Sequence, residues 1–265
     1  MQTIALMRNT IQPYAWGSRT AIAELRGEPS PAAEPQAELW IGAHPKAPSG
    51  VGVHGRWVPL NELIAADPAG ILGAAAAARF NGQLPYLLKV LAAERPLSIQ
   101  AHPSRDQARE GFARENRLKI ALDAPQRNYR DANHKPECIC ALTPFWALSG
   151  FRVPTEILAG LAPVLPTQAA EALQDLARGD AGDGLKRFFI WLMTLPAAQR
   201  RPLVAAAAGQ AAALAGLDPA YDWVRRLQAE YPGDAGVLAP LMLNLVQLAP
   251  GEALFLPAGE LHAYL

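Results

Sequence analysis

The stretch that most constrains the fold is LMLNLVQLAPGEALFLPAGELHAYL, residues 241–265. It reads as a strand, a Pro-Gly turn, a second strand, a Pro-Ala-Gly turn and a final strand. Residues 1–60 have the same strand-and-turn character: they are rich in Pro, Gly and aromatics and carry short candidate strands in AELWIG and GRWVPL. Between these ends, from Thr155 to about Pro232, the pattern changes to helix. The order is therefore β, then helices, then β. We divide the chain into a β segment over 1–154, an all-helical segment over 155–236 and returning strands over 237–265.

The helical segment is recognised by its period. Leu185, Phe188, Phe189, Leu192 and Met193 fall at i, i+3, i+4, i+7 and i+8, a stripe that faces a core. Asp218-Pro219 has the form of an N-cap followed by proline at the first helical position. Trp223, Leu227 and Tyr231 recur at helical spacing and are expected to pack inward. The segment holds no His or Cys, so the chemistry is expected elsewhere.

In the first part, helices are expected over Asn61–Ala66 and from about Ile71 to Phe80. Ser104-Arg-Asp-Gln107 has capping-box spacing and opens a helix through about Ala121. PYLLKVLAA, PLSIQAHP, KPECICALTP and WALSGFRV read as strands.

With 265 residues, half of them apolar, and a formal net charge of zero, the composition is that of an ordinary globular protein. Balanced charge gives no footprint for a nucleic-acid or anionic-membrane partner. The N-terminus lacks a basic region followed by an apolar core, and no apolar run could span a bilayer. The only cysteines, Cys138 and Cys140, share one strand face and cannot bridge without distorting it. They read as small buried hydrophobes in a reduced, cytoplasmic protein.

Three pieces carry the chemistry. In PLSIQAHP, Leu97, Ile99 and Ala101 point one way and Ser98, Gln100 and His102 the other. An amide oxygen and an imidazole two residues apart can make half of a metal site, although alone they better suit a strand end whose polar side chains reach water. In NHKPECIC, Lys135 and Glu137 alternate around Pro136 and face one side, opposite the cysteines. A surface ion pair is the plainer account of that piece by itself. The third piece, Gly251 to His262, fits G-x5-P-x-G-x2-H, which resembles the second cupin motif, where two turns place a histidine on a barrel strand. Together Gln100, His102, Glu137 and His262 give four ligands of mixed N and O type, suited to Zn²⁺ or another divalent ion. His44 and His54 are expected in loop or strand-end roles, and His134 is expected to face away from Lys135 and not to be a ligand.

YAWGS (14–18), AELWIGAHPKAPS (37–49), PYLLKVLAAERPLSIQAHP (85–103), NHKPE (133–137), ALTPFWALSGFR (141–152) and LNLVQLAPGEALFLPAGELHAYL (243–265) occur in one order. In that order they resemble type I mannose-6-phosphate isomerases, zinc-dependent cupins. The resemblance spans essentially the whole chain. It implies a mixed, mainly β fold: a cupin-type jelly-roll barrel, incomplete at the C-terminus, with an inserted helical domain. It implies one Zn²⁺ on Gln100, His102, Glu137 and His262, and a sugar-phosphate pocket lined by Trp16, Glu38, Lys89, Ser98 and Lys135. Lys89 and Ser98 are expected at the phosphate end, and Lys135 is expected to transfer a proton. The implied activity interconverts mannose 6-phosphate and fructose 6-phosphate, in the cytoplasm, without nucleic-acid or membrane partners. Its chemistry needs a proton carrier and an electrophile where charge develops on oxygen.

The chain departs from that pattern in ending within a strand, where family members continue with a catalytic arginine. Trp146 also stands where the family usually has an acidic residue, and Cys138 where Met is frequent. A catalytically impaired cupin remnant that holds zinc and sugar phosphate is the competing expectation. Another metal-cupin chemistry, such as a dioxygenase, is disfavoured by the lysines and by SIQAHP.

Overall fold

A computed structural model describes residues 4–177 and 181–265. Backbone contacts divide the chain into two compact units, Met1–Arg95 and Pro96–Leu265.

In the first unit the strands are β1 (Met7–Arg8), β2 (Thr10–Gln12), β3 (Glu38–Ile41), β4 (Gly50–Val53), β5 (Arg56–Pro59) and β6 (Leu88–Leu91). They form two three-stranded sheets, ordered β1-β4-β5 and β2-β3-β6. The second sheet packs Leu39, with Ile11, Ile41 and Val90, against Ile22 of the short helix α1 (Ala21–Leu25). Period-two alternation then places Glu38 and Trp40 on the opposite face. Lys89 is the cross-strand partner of Trp40. Helix α2 runs over Leu60–Ala66. The single helix expected over 71–80 is two, α3 (Pro68–Leu72) and α4 (Ala74–Arg79). Gly73 separates them at φ +83°, a backbone state that cannot continue a helix.

The second unit contains β7 (Gln100–Ala101), α5 (Arg105–Arg117), β8 (Glu137–Cys140), β9 (Phe145–Phe151) and the helices α6 (Pro154–Leu161), α7 (Ala170–Ala177), α8 (Ala181–Thr194), α9 (Ala197–Leu214) and α10 (Pro219–Glu230). Strands β10 (Leu243–Leu248), β11 (Ala253–Leu256) and β12 (Leu261–Tyr264) follow. They build a four-stranded sheet, β10-β9-β12-β7, and a two-stranded sheet, β11-β8. Helix makes up 41% of the chain, more than strand, so the fold is mixed rather than mainly β.

The helical stripe behaves as its spacing predicts. Phe188 and Leu192 are fully buried, with Leu185, Phe189 and Met193 packed beside them. They join Ile157, Leu161, Val204 and Leu238 in the largest core, which also takes Phe151 and Leu245 from the sheet. Asp218 caps α10 through the N–H of Ala220 at 2.7 Å. Trp223 and Leu227 are buried, but Tyr231 lies past the helix end and is substantially exposed, its hydroxyl donating to the Pro96 carbonyl at 2.6 Å.

Three further expectations are corrected. Within PLSIQAHP only Gln100–Ala101 is strand, and Ala101 is exposed rather than packed. Among the described residues this edge strand pairs with β12 alone, over the two positions Leu261↔Ala101 and His262↔Gln100. Helix α5 has its full capping box at Ser104 and Gln107 but stops at Arg117, four residues short of Ala121, because Lys119 turns the chain at φ +54°. Cys138 and Cys140 are free thiols, as expected, but exposed rather than buried. Their face of the β8–β11 sheet is shared by Ala253 and Phe255, which are also exposed.

Candidate metal centre

The register of the four-stranded sheet assembles the site. His262 on β12 is opposite Ser149 on one side and Gln100 on the other, so the three side chains share a face. Tyr264, two residues on, shares it too. Leu261 and Ala263 point the other way, into a core with Leu148, Leu243 and Ile99. His102 lies just past β7. From the two-stranded sheet, Glu137 extends its carboxylate to meet them.

His102 Nε2 is 2.9 Å from Glu137 Oε1, and His262 Nε2 is 3.6 Å from Oε2. The imidazole rings of His102 and His262 are 5.3 Å apart between centroids. One ligand atom each from His102, Glu137 and His262 fall within 4.8 Å of one another. The second ring nitrogen of His262 is engaged: Nδ1 donates to the carbonyl of Glu260 at 2.8 Å. That bond fixes the tautomer and leaves Nε2 as the lone-pair nitrogen. Tyr264 donates its hydroxyl to Glu137 Oε2 at 2.8 Å.

His262 Nε2 is buried without a hydrogen-bond partner, since 3.6 Å is too long for one. A buried polar atom left unpaired is costly, and a cation at that point would satisfy it. Burial opposes charge on Glu137, but the His102 and His262 imidazoles and the Tyr264 hydroxyl outweigh it, holding the carboxyl well below the usual range. Burial lowers the His262 pKa, yet the neighbouring Glu137 carboxylate and Glu260 carbonyl raise it overall. Burial beside the Glu137 carboxylate pushes the Tyr264 phenol far up, so it remains a donor. An ionised carboxylate with two imidazoles and an adjacent amide is a donor set for a divalent transition ion.

The other sequence candidates are distributed as follows. Lys135 is exposed, 3.0 Å from Asp131, and lines a cavity with His102. Ser98 is exposed, two residues before β7. In the first unit, Glu38 is buried and paired with Lys89 at 3.3 Å, and Trp16 stacks at 5.7 Å from Tyr14. Trp40, given no role from sequence, donates its indole N–H to Glu38 at 2.6 Å, and the Lys89 ammonium lies 5.2 Å from the centroid of its ring. Tyr264 was likewise passed over. The signal in both cases was an aromatic residue two positions after a polar candidate on the same strand face.

Comparison with known proteins agrees with this geometry. A family model for phosphomannose isomerase type I, catalytic domain, matches residues 4–154. The chain is 44% identical to mannose-6-phosphate isomerase of Escherichia coli over 97% of its length and 37% identical to that of Homo sapiens over 96%. It spans 65% and 63% of those two proteins. A zinc-bound mannose 6-phosphate isomerase crystal structure superposes with a TM-score of 0.88 at 41% identity, over 98% of this chain and 65% of that one. The Salmonella typhimurium enzyme solved with fructose 6-phosphate and zinc gives the same TM-score, identity and coverage. The chain belongs to the phosphomannose isomerase type I family.

Proposed function

We propose that the chain is a zinc-dependent aldose–ketose isomerase that interconverts mannose 6-phosphate and fructose 6-phosphate. The observation that carries this reading is the His102–Glu137–His262 cluster with its buried, unpaired His262 Nε2. Gln100, placed beside His262 by the β7–β12 register, would be the fourth ligand. Zinc held there would supply a Lewis acid for the substrate oxygens and a template for its hydroxyls. The fold that holds it is, in this proposal, a cupin-type jelly roll with the helices of 155–236 inserted.

The chain's own residues divide the remaining work. Glu260 keeps His262 in one tautomer, and Tyr264 orients Glu137. Lys135 sits in the cavity that His102 lines and is the proposed proton carrier. The reaction moves the C2 hydrogen of mannose 6-phosphate to C1, and the O2 proton to O1, through an enediol. A single amine that accepts the proton from C2 and returns it to C1 carries the carbon-bound hydrogen, and the O2 proton passes to the neighbouring O1 in a separate transfer.

The test is to purify the chain, measure its zinc content and couple fructose 6-phosphate formation to a dehydrogenase. About one zinc per chain with turnover supports the reading. Full zinc without turnover leaves a metal- and sugar-phosphate-binding protein. Gln100→Ala and His262→Ala should each lower zinc retention, and variants that hold zinc as well as the parent would overturn the ligand set.

A further inference from the structure

The segment that carries Gln100 and His102 is thinly held by its own sheet. Its strand, β7, is two residues long and lies at the sheet edge. Strand β12 holds it along one side. The Leu97 N–H donates to the Tyr264 carbonyl at 2.8 Å, Gln100 is opposite His262, and the His102 carbonyl accepts the N–H of Gly259 at 2.7 Å. A segment with so few contacts opens locally at little cost unless something else holds it.

A second hold comes from the end of the helical segment and the turn after it, which carry no candidate ligand. The Tyr231 hydroxyl donates to the Pro96 carbonyl at 2.6 Å, just before Leu97. A 3-10 helix follows over Ala235–Leu241, and Ile99 packs on a core that contains its Ala239 together with Leu148 and Leu243. The approach is close at Gly236, where a Cβ would lie 3.4 Å from Ile99 Cδ1. This support is itself firmly tied. The Tyr231 N–H donates to the carbonyl of Leu227, a residue of the largest core, at 2.7 Å. The Gly233 N–H donates to Gln228 Oε1 and the Gly233 carbonyl accepts from Arg200 Nε, both at 3.2 Å. Asp234 Oδ1 accepts the Gly236 N–H at 2.7 Å.

We propose that Tyr231 and Gly236 are positioning residues for the metal centre: they hold the segment 96–102 so that Gln100 and His102 meet Glu137 and His262 before the metal arrives. The inference rests on the zinc reading of that cluster. Ligands on a loosely held edge must be ordered when the metal binds, which weakens affinity; fixing them in advance removes that cost. Tyr231 supplies a hydrogen bond that β12 does not. Gly236 leaves room for Ile99, whose side chain points away from Gln100 and sets how deeply the segment seats on the core.

The test follows zinc loss from the loaded full chain to a competing chelator, alongside the melting temperature and amide exchange of the metal-free protein. Tyr231→Phe should lower zinc retention about threefold or more, the worth of one hydrogen bond. The Leu97 N–H should then exchange faster, with the melting temperature little changed, because the loosening is local. Gly236→Val should also lower retention by pressing on Ile99, and Ile99→Val added to it should restore part of the loss by removing Cδ1. Tyr221→Phe is the control. It deletes a like bond, 3.2 Å to the Gly160 carbonyl, inside the helical segment, and should leave zinc retention unchanged. Parental retention in Tyr231→Phe, or an equal loss in Tyr221→Phe, overturns the proposal and leaves the zinc reading standing. So does a Gly236→Val loss that Ile99→Val does not relieve. A parent chain that takes up no zinc overturns the zinc reading and this proposal together.

Discussion

At the residue scale the proposed metal centre depends on what holds its candidate ligands as much as on the ligands. Glu137 is reached from three directions, by His102, His262 and Tyr264, and only Tyr264 is not itself a candidate ligand. Its hydroxyl is a fixed donor, so it keeps one carboxylate oxygen oriented in every state of the site. Removing such an outer partner typically costs about 10–100-fold in metal affinity. Tyr264→Phe keeps the ring, which packs 5.8 Å from Phe145, and deletes only the hydrogen bond. Zinc retention against a competing chelator should therefore fall by about one to two orders of magnitude, with the melting temperature of the metal-free protein little changed. Retention equal to the parent would show that Glu137 needs no help from Tyr264.

At the scale of elements, α5 and the loop after it are clamped into one mechanical piece by the buried pair Glu115 and Arg127, which approach to 3.3 Å. The backbone N–H of Tyr129 is the strongest influence on Glu115. With the N–H of Asn128 and the nearby guanidinium, it outweighs burial and holds the carboxyl below its usual pKa. A carboxyl lowered on folding contributes stability above its ordinary value, about 4.3, and loses that contribution as pH falls through the lowered native value. Glu115→Gln should therefore melt below the parent at neutral pH. The gap should hold down to the ordinary carboxylate range and then close as the medium becomes more acid. A gap that is the same at every pH would mean that the carboxylate charge plays no part. This clamp was not legible in the sequence, because its contacts join a helix to a loop at separations no periodicity encodes. The contact of the Tyr129 ring with Gly111 is of the same kind. The capping box at Ser104, the α10 cap at Asp218 and the Phe188 stripe were legible, because caps and amphipathic faces are local. Alternation likewise gave the correct face to Glu137. It could not tell whether the opposite face, with Cys138 and Cys140, would be covered, since that depends on a distant partner.

At the scale of the whole molecule, that uncovered face meets a charge balance that does nothing to oppose association. Phe255 is 63% exposed, next to exposed Cys138, with Leu142 66% exposed on the loop after β8. Lys and Arg number 24 and Asp and Glu 24, so near pH 7 there is no net charge to keep copies apart. Exposed apolar patches on a protein of zero net charge favour association and precipitation. Light scattering of the purified chain should accordingly be highest near neutral pH and fall as the solution is made more alkaline and the net charge turns negative. Phe255→Ser should lower the scattering at neutral pH. Its effect on folding stability should be small, within about 0.5 kcal/mol, the usual range for a surface substitution. If instead Phe255→Ser lowers stability by several kcal/mol, the ring is packed in solution and the face is covered there. If scattering is unchanged by both the substitution and the pH, association is driven from another surface.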